Sequence, residues 1–289
     1  MKILSLSLFF LVSILGSFLN GQAKGLLPMA KPEAVGLDPK KLQAVKKKME
    51  ALIEENRLTG GTVVIARKGK VAHFETYGLR NREEELPVEK DTIFRIYSMT
   101  KAITSVAALM LWEEEKLDLD DPLSKFFPPL KKMKVWKDGK LIDTEREATV
   151  ADLLRHTSGL TYGWMSSKPI REALRSAGVL DRNKQLIPMM NGMGEVPLQF
   201  QPGSDWVYGC STDVLGGVVE VASGMPFDKF LKERIFKPLK MKDTGFYVPA
   251  NKVKRFAANY NYRKGKLTMI DDPKTSSYLE NPVFKSGGG

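Results

Sequence analysis

Ile93-Phe94-Arg95-Ile96-Tyr97-Ser98-Met99-Thr100-Lys101, followed by an apolar run from Ala102 to Trp112, is the stretch around which the chain is organised. It reads as a short extended entry, a serine at a helix N-terminus and a lysine one turn on. Helical residues three apart share a face, so Ser98 Oγ and Lys101 Nζ can meet in one pocket. A serine hydroxyl is a poor nucleophile until a neighbour takes its proton, and a neutral amine can do that. Burial and the positive helix start both disfavour an ammonium at Lys101. The first helical N–H groups point at whatever Ser98 attacks and supply half of an oxyanion hole.

Spacing alone does not decide the matter. Chance would place about two Ser-x-x-Lys matches in a chain this rich in serine and lysine, and a helix cap with a solvated lysine also fits. Context carries more weight. From Ala102 to Trp112 only Thr104 and Ser105 are polar, which predicts a helix buried nearly all round. A lysine at the mouth of such a helix must snorkel to water or be used.

With 289 residues, 43% hydrophobic and 27% charged, the chain is an ordinary globular one, long enough for a large core. The net charge of +11 reads as spread along the chain, with Lys46-Lys47-Lys48 and Lys131-Lys132 among its tight basic groups. No aromatic–basic module accompanies them, so nucleic acid is not the expected partner. Residues 1–23 read as an export signal: Lys2, an apolar core from Ile3 to Leu19, and a small-residue cleavage site at Gly21-Gln22-Ala23. The expected location is therefore periplasmic or secreted. Cys210 is the single cysteine, so no intramolecular disulfide can form.

Further along, Asp38-Pro39 caps a helix carrying Leu42, Val45, Met49, Leu52 and Ile53, which Gly60-Gly61 is expected to stop. Thr62 to Arg67 and Val71 to Tyr77 form a hairpin about Lys68-Gly69-Lys70, and Asp138-Gly139 turns a second, surface hairpin. Thr149-Val150-Ala151-Asp152 approximates a capping box for a short helix ending at His156. Residues 163–205 give weak signals for one or two short helices. Ser211 or Thr212 caps a helix through Val221, and Pro226 opens another through Phe236. Arg255 to Asp271 reads as two strands about Lys264-Gly265-Lys266.

Four matches together resemble the serine β-lactamase and penicillin-binding-protein superfamily, in its class C β-lactamase and esterase branch. The first is Ser98-Met99-Thr100-Lys101 after Asp91-Thr92-x-Phe94-Arg95-Ile96. The second is Leu153-Leu154-x-His156-Thr157-Ser158-Gly159-Leu160. The third runs from Gln201-Pro202-Gly203 through Trp206-x-Tyr208 to Ser211-Thr212-Asp213-Val214-Leu215-Gly216, and the fourth is the glycine loop Phe284-x-Ser286-Gly287-Gly288-Gly289. Their order and spacing agree over residues 29–289.

The resemblance implies an α+β, β-lactamase/transpeptidase-like fold, with an antiparallel sheet flanked by helices and a helical subdomain. Residues 24–92 and 243–289 would form the α/β part and residues 93–242 the helical part, with the site in the cleft between them. It further implies Ser98 as nucleophile, with Lys101 and Tyr208 shuttling its proton, on a small ester, β-lactam or peptide-like acyl substrate. A phenol beside an ammonium has a lowered pKa, so a Tyr208 phenolate makes sense as a base.

Two departures bear on activity. Where the family has asparagine in Tyr-x-Asn this chain has Cys210, which tilts the reading towards an ester; Cys210 itself reads as a small packed residue. The family's third motif, a Lys/His-x-Gly strand giving the other oxyanion N–H, would lie beyond Gly289, so the domain is expected to be C-terminally truncated. A degenerate, non-catalytic member in the cell envelope is the competing reading, and a membrane-tethered scaffold a third. His156 is expected to play a structural part, and Asp118, Asp120 and Asp121 to form a helix-ending loop without a metal. No cofactor is implied.

Overall fold

The computed structural model describes residues 27–289, so the expected export segment, residues 1–23, lies outside the described residues. Helix α1 spans Pro39–Glu54, and its N-cap Asp38 accepts the Lys40 N–H at 2.8 Å. It packs on the second strand of an antiparallel sheet. The glycines expected to stop α1 do something else. Gly60 and Gly61 open strand β1 (Gly60–Arg67), while the helix has already ended at Glu54. At Gly60 a Cβ would sit 2.6 Å from both Tyr77 O and Leu79 N, so the close approach of β2 is what requires glycine there.

Strand β1 pairs with β2 (Lys70–Asn81) from Gly60 opposite Gly78 to Arg67 opposite Lys70. Strand β2 runs four residues beyond the expected Tyr77 and pairs near its end with the short β3 (Leu86–Pro87). The sheet order is β1-β2-β3.

Helix α2 covers Thr100–Glu113, preceded by a 3-10 turn at Tyr97–Met99 that holds Ser98. It buries Thr104, Ala107, Ala108 and Leu111, and leaves Val106, Leu109 and Trp112 facing solvent. The expectation of a helix buried all round is therefore wrong for α2. The helix that fits it is α6 (Ser211–Ser223), in which every residue from Ser211 to Val219 is buried. The small residues of α2 form the side that packs on α6, where alanine lets two helices approach closely.

Around α6 the core is filled by α3 (Val150–Arg155), α5 (Leu186–Met193) and α7 (Phe227–Leu231), which runs on into a π-helical turn at Lys232–Phe236. Leu153, Met189, Met190, Phe227 and Phe230 are among its bulkiest buried members. Helix α4 (Lys168–Ser176) buries Ile170 and Leu174 against the same cluster, so two short helices fill the stretch that gave weak signals. Strands β4 (Lys134–Lys137) and β5 (Lys140–Asp143) make the expected surface hairpin, with Asp138 and Gly139 both at positive φ.

Strands β6 (Asn259–Arg263) and β7 (Lys266–Asp271) form their own two-stranded ladder. The sequence placed the first of them earlier, but residues 250–255 are a 3-10 turn. The Ala258 N–H donating to Arg80 O at 2.8 Å joins this ladder to β2. Arg95, in the entry to α2, locks the junction: it donates to Ala257 O at 2.5 Å, lies over the Phe256 ring at 3.9 Å and pairs with Asp271.

Candidate active site

Ser98 sits just ahead of α2, and the residue before it, Tyr97, is held at φ 41°, a left-handed conformation that costs a tyrosine energy. The turn brings Ser98 Oγ to 3.3 Å from Lys101 Nζ, as the three-residue spacing predicts. From a different part of the chain, Tyr208 OH comes to 2.6 Å from the same Ser98 Oγ. All three residues singled out in the sequence therefore converge.

Tyr208 stands in an irregular segment leading into α6. Its neighbour Gly209 is pressed against residues 160–161, where a Cβ would lie 2.2 Å from Leu160 O. Only glycine lets the segment come that close, and this contact sets where the phenol points. Burial pushes the Tyr208 hydroxyl up, but the adjacent Lys101 ammonium and the Ser98 hydrogen bond outweigh it, and its pKa lies below the ordinary 10.0. Lys101 Nζ lies 4.8 Å from the Tyr208 ring centroid and 5.8 Å from that of Tyr162.

Lys101 also donates to the Gly288 carbonyl, and Thr104 Oγ1 donates to Gly287 O at 2.8 Å. The glycine loop thus packs directly on α2. Asp213, in α6 and only 1% exposed, holds the loop in place. It accepts from Ser286 Oγ, from the Gly288 N–H at 3.1 Å and from Tyr162 OH at 3.1 Å. Burial pushes the Asp213 carboxyl up and these donors pull it back, leaving a net rise. Asp213 belongs to a motif the sequence displayed, but its partners lie 51 and 75 residues away, so nothing local announced its task.

Cys210 is fully buried, donates to Thr161 O at 3.4 Å, and has its thiol pKa pushed up by burial. It is a packed N-cap of α6, not a nucleophile. The cap expected of Ser211 or Thr212 thus falls on Cys210, which makes no side-chain cap. His156 closes α3 at φ 59°, and its N–H bonds Leu153 O at 3.3 Å. Its ring lies 5.2 Å from that of Tyr208. Burial, then the Lys101 charge, lowers its pKa, so it faces Tyr208 as a neutral ring. Among the described residues Ser98 bonds Tyr208 and Lys101 but not His156, so Ser98 and His156 do not form a Ser-His-Asp triad.

An aromatic wall that sequence reasoning missed runs along the site. Trp164 stacks on Tyr162 at 4.5 Å, Tyr162 meets Tyr208 at 5.7 Å, and Trp206 meets His156 edge-on at 6.3 Å. Trp164 is 73% and Trp206 59% exposed. Asp118 and Asp121 accept backbone N–H bonds within their own loop. Among the described residues no group of three His, Cys, Asp or Glu side chains is placed to hold a metal.

Residues 45–282 match the Beta-lactamase family. The chain belongs to that family. Its fold is β-lactamase/transpeptidase-like, α+β, as the four motifs implied. Among curated relatives, Protein Rv1367c of Mycobacterium tuberculosis is 36% identical over 244 residues, covering 80% of this chain and 58% of that protein. Esterase EstB of Burkholderia gladioli is 34% identical over 235 residues, covering 80% and 57%. The chain therefore spans less than three fifths of either relative's length. Among solved structures it is similar to EstCE1, a hydrolase with promiscuous acyltransferase activity. That similarity has a TM-score of 0.73 at 27% identity, over 86% of this chain and 67% of that one.

Proposed function

We propose that this Beta-lactamase-family protein is a serine hydrolase that works through an acyl-enzyme, with esters as its preferred substrates. The observation that carries the reading is the 2.6 Å contact of Ser98 Oγ with Tyr208 OH beside the Lys101 ammonium. In this scheme Tyr208, as phenolate, takes the Ser98 proton while Oγ attacks the substrate carbonyl. The tetrahedral intermediate collapses, and the leaving alkoxide takes the proton from Tyr208. Water then loses a proton to Tyr208 and attacks the acyl–Ser98 ester, releasing the acid and restoring the serine. Lys101, which donates to Ser98 Oγ and to the Gly288 carbonyl, stands beside the phenolate and stabilises its charge.

Two features support an ester over a β-lactam or peptide. Cys210 is turned into the protein, so its position offers no amide to a substrate amide. EstB and EstCE1 are named for ester hydrolysis or for hydrolysis with acyl transfer. Under this reading the site needs neither metal nor nucleic acid. Residues 24–92 and 243–289 would make one part of the domain and residues 93–242 the other. Residues 1–23 would direct export to the periplasm or beyond, with cleavage after Ala23. A non-catalytic family member is the alternative.

Intact mass spectrometry after exposure to a small fluorophosphonate tests the reading. A single adduct on the protein, absent from a folded Ser98→Ala variant, is the expected result. A folded wild-type chain that takes no adduct would favour the non-catalytic alternative. The same spectrum reports whether the chain begins after Ala23.

A further inference from the structure

Residues 229–255 carry nine lysines and arginines against two acidic residues, which is seven of the chain's eleven net positive charges. In the sequence these residues are separated by apolar and turn residues, so they do not read as a basic run. The fold gathers them. The π-helical turn at Lys232–Phe236 and the loop that follows, residues 237–252, enclose an open groove of about 620 Å³, lined by five lysines, Lys232, Lys237, Lys240, Lys242 and Lys252, against two carboxylates, Asp228 and Asp243. Phe236, Phe246 and Tyr247 line it as well. The volume lies in the range of ligand-binding clefts.

The ion pairs in this region leave a large surplus of charge. Lys237 pairs with Glu233, Arg234 with Glu114, and both Lys252 and Arg255 with Asp243. The Arg255 and Lys252 charges consequently hold the Asp243 carboxyl well below the usual carboxylate range. Lys252 is also fixed by donating to Lys242 O at 2.6 Å, so one wall of the groove has a set shape. Among the described residues Lys229, Lys232, Lys240, Lys242 and Lys254 have no carboxylate within ion-pair distance. Three of these five, Lys232, Lys240 and Lys242, line the groove. Like charges held this close repel one another, a cost that an anion removes.

We propose that this groove is a binding site for an extended polyanion, a flexible chain bearing repeated phosphate charges. A single small anion would answer one or two ammonium groups, whereas five lysines line the groove. Lysine ammonium groups act as point charges towards phosphate and impose no fixed geometry, which suits a flexible polymer. The site is distinct from Ser98 and its partners, none of which lines the groove. It would hold the protein on an anionic matrix while the catalytic cleft works.

The test uses linear inorganic polyphosphate as probe and the whole protein, read by calorimetry or by anisotropy of labelled polyphosphate. A triple variant, Lys232→Gln/Lys240→Gln/Lys242→Gln, is compared with Lys46→Gln/Lys47→Gln/Lys48→Gln on exposed α1, which removes the same charge. The expected result is saturable binding at low salt that weakens steeply as salt rises. The groove variant should lose about tenfold or more in affinity and the control far less. Equal losses in the two variants would overturn the proposal, because the binding would then follow net charge. So would failure of polyphosphate to bind at low salt. Anionic phospholipid vesicles form a second arm, and vesicle binding without polyphosphate binding would replace the polymer by a membrane surface. Circular dichroism confirms that both variants are folded.

Discussion

At the scale of single residues, the base is where the physical chemistry can be checked most sharply. A Tyr208 hydroxyl held below 10.0 by Lys101 and Ser98 is useful only as phenolate. The rate should therefore rise with pH through the Tyr208 pKa and fall as the phenol protonates. In kcat/KM this gives an acid limb with its midpoint below 10.0, set by the free enzyme. Lys101→Met should move that midpoint upward, because the favourable charge is gone. Tyr208→Phe should cost roughly 10²–10⁴ in rate and abolish the limb. A limb that survives Tyr208→Phe unchanged would assign the proton to another group. Ser98 and Lys101 were legible in the sequence because three residues on a helix is a short-range rule, and Tyr208 was legible through the family motif. The Asp213–Ser286–Gly288 clamp was not. It depends on which distant segments fold together, and no periodicity encodes that.

At the scale of elements, local signals were readable wherever backbone chemistry is self-contained. The Thr149–Asp152 capping box, the Asp38 cap and the Asp138-Gly139 turn each formed as their residues dictate. The stop of α1 was misread because Gly60 answers to a neighbouring strand, which is a tertiary demand. Helix α3 shows how such an element supports the site. Asp152 is fully buried; it accepts from Arg146 at 2.6 and 3.1 Å and from Thr157 Oγ1 at 2.8 Å, and so fixes the turn that carries His156 against Tyr208. Burial raises its carboxyl, but these donors win and bring the pKa down from 3.8 to about 2. A carboxyl lowered by folding contributes stability above its unfolded pKa and loses it as pH falls through the folded value. Urea midpoints should therefore drop between about pH 4 and pH 2, and Asp152→Asn should flatten that slope. Asp152→Ala, which removes the acceptor of Thr157 and the Thr149 N–H and leaves the half-exposed Arg146 to water, should cost about 1–2 kcal/mol at neutral pH. A pH slope in Asp152→Asn equal to that of the wild type would show that other carboxyls govern acid unfolding.

For the molecule as a whole, the fold class was visible in the order of motifs, but the division between core and surface was not. Helices α2 and α6 are both apolar, and composition cannot say which one lies at the centre. The answer lies in the neighbours: α6 packs against α2, α3, α5 and α7 and is buried from Ser211 to Val219, whereas α2 leaves one side open. On its open side Val106, Leu109 and Trp112, each three residues apart, present a continuous apolar face to solvent, with exposures of 48%, 39% and 45%. Water meets apolar surface there that folding has not removed, and such a patch binds hydrophobic probes in the native state. The native protein at neutral pH should therefore enhance the fluorescence of a naphthalene sulfonate dye in a saturable way, with far-UV and near-UV circular dichroism unchanged. Leu109→Gln/Trp112→Gln should reduce that signal while altering stability by no more than about 0.5 kcal/mol, since both side chains leave one exposed surface for another. If the double variant instead unfolds cooperatively at much lower urea, the face is covered in solution and α2 is as central as α6.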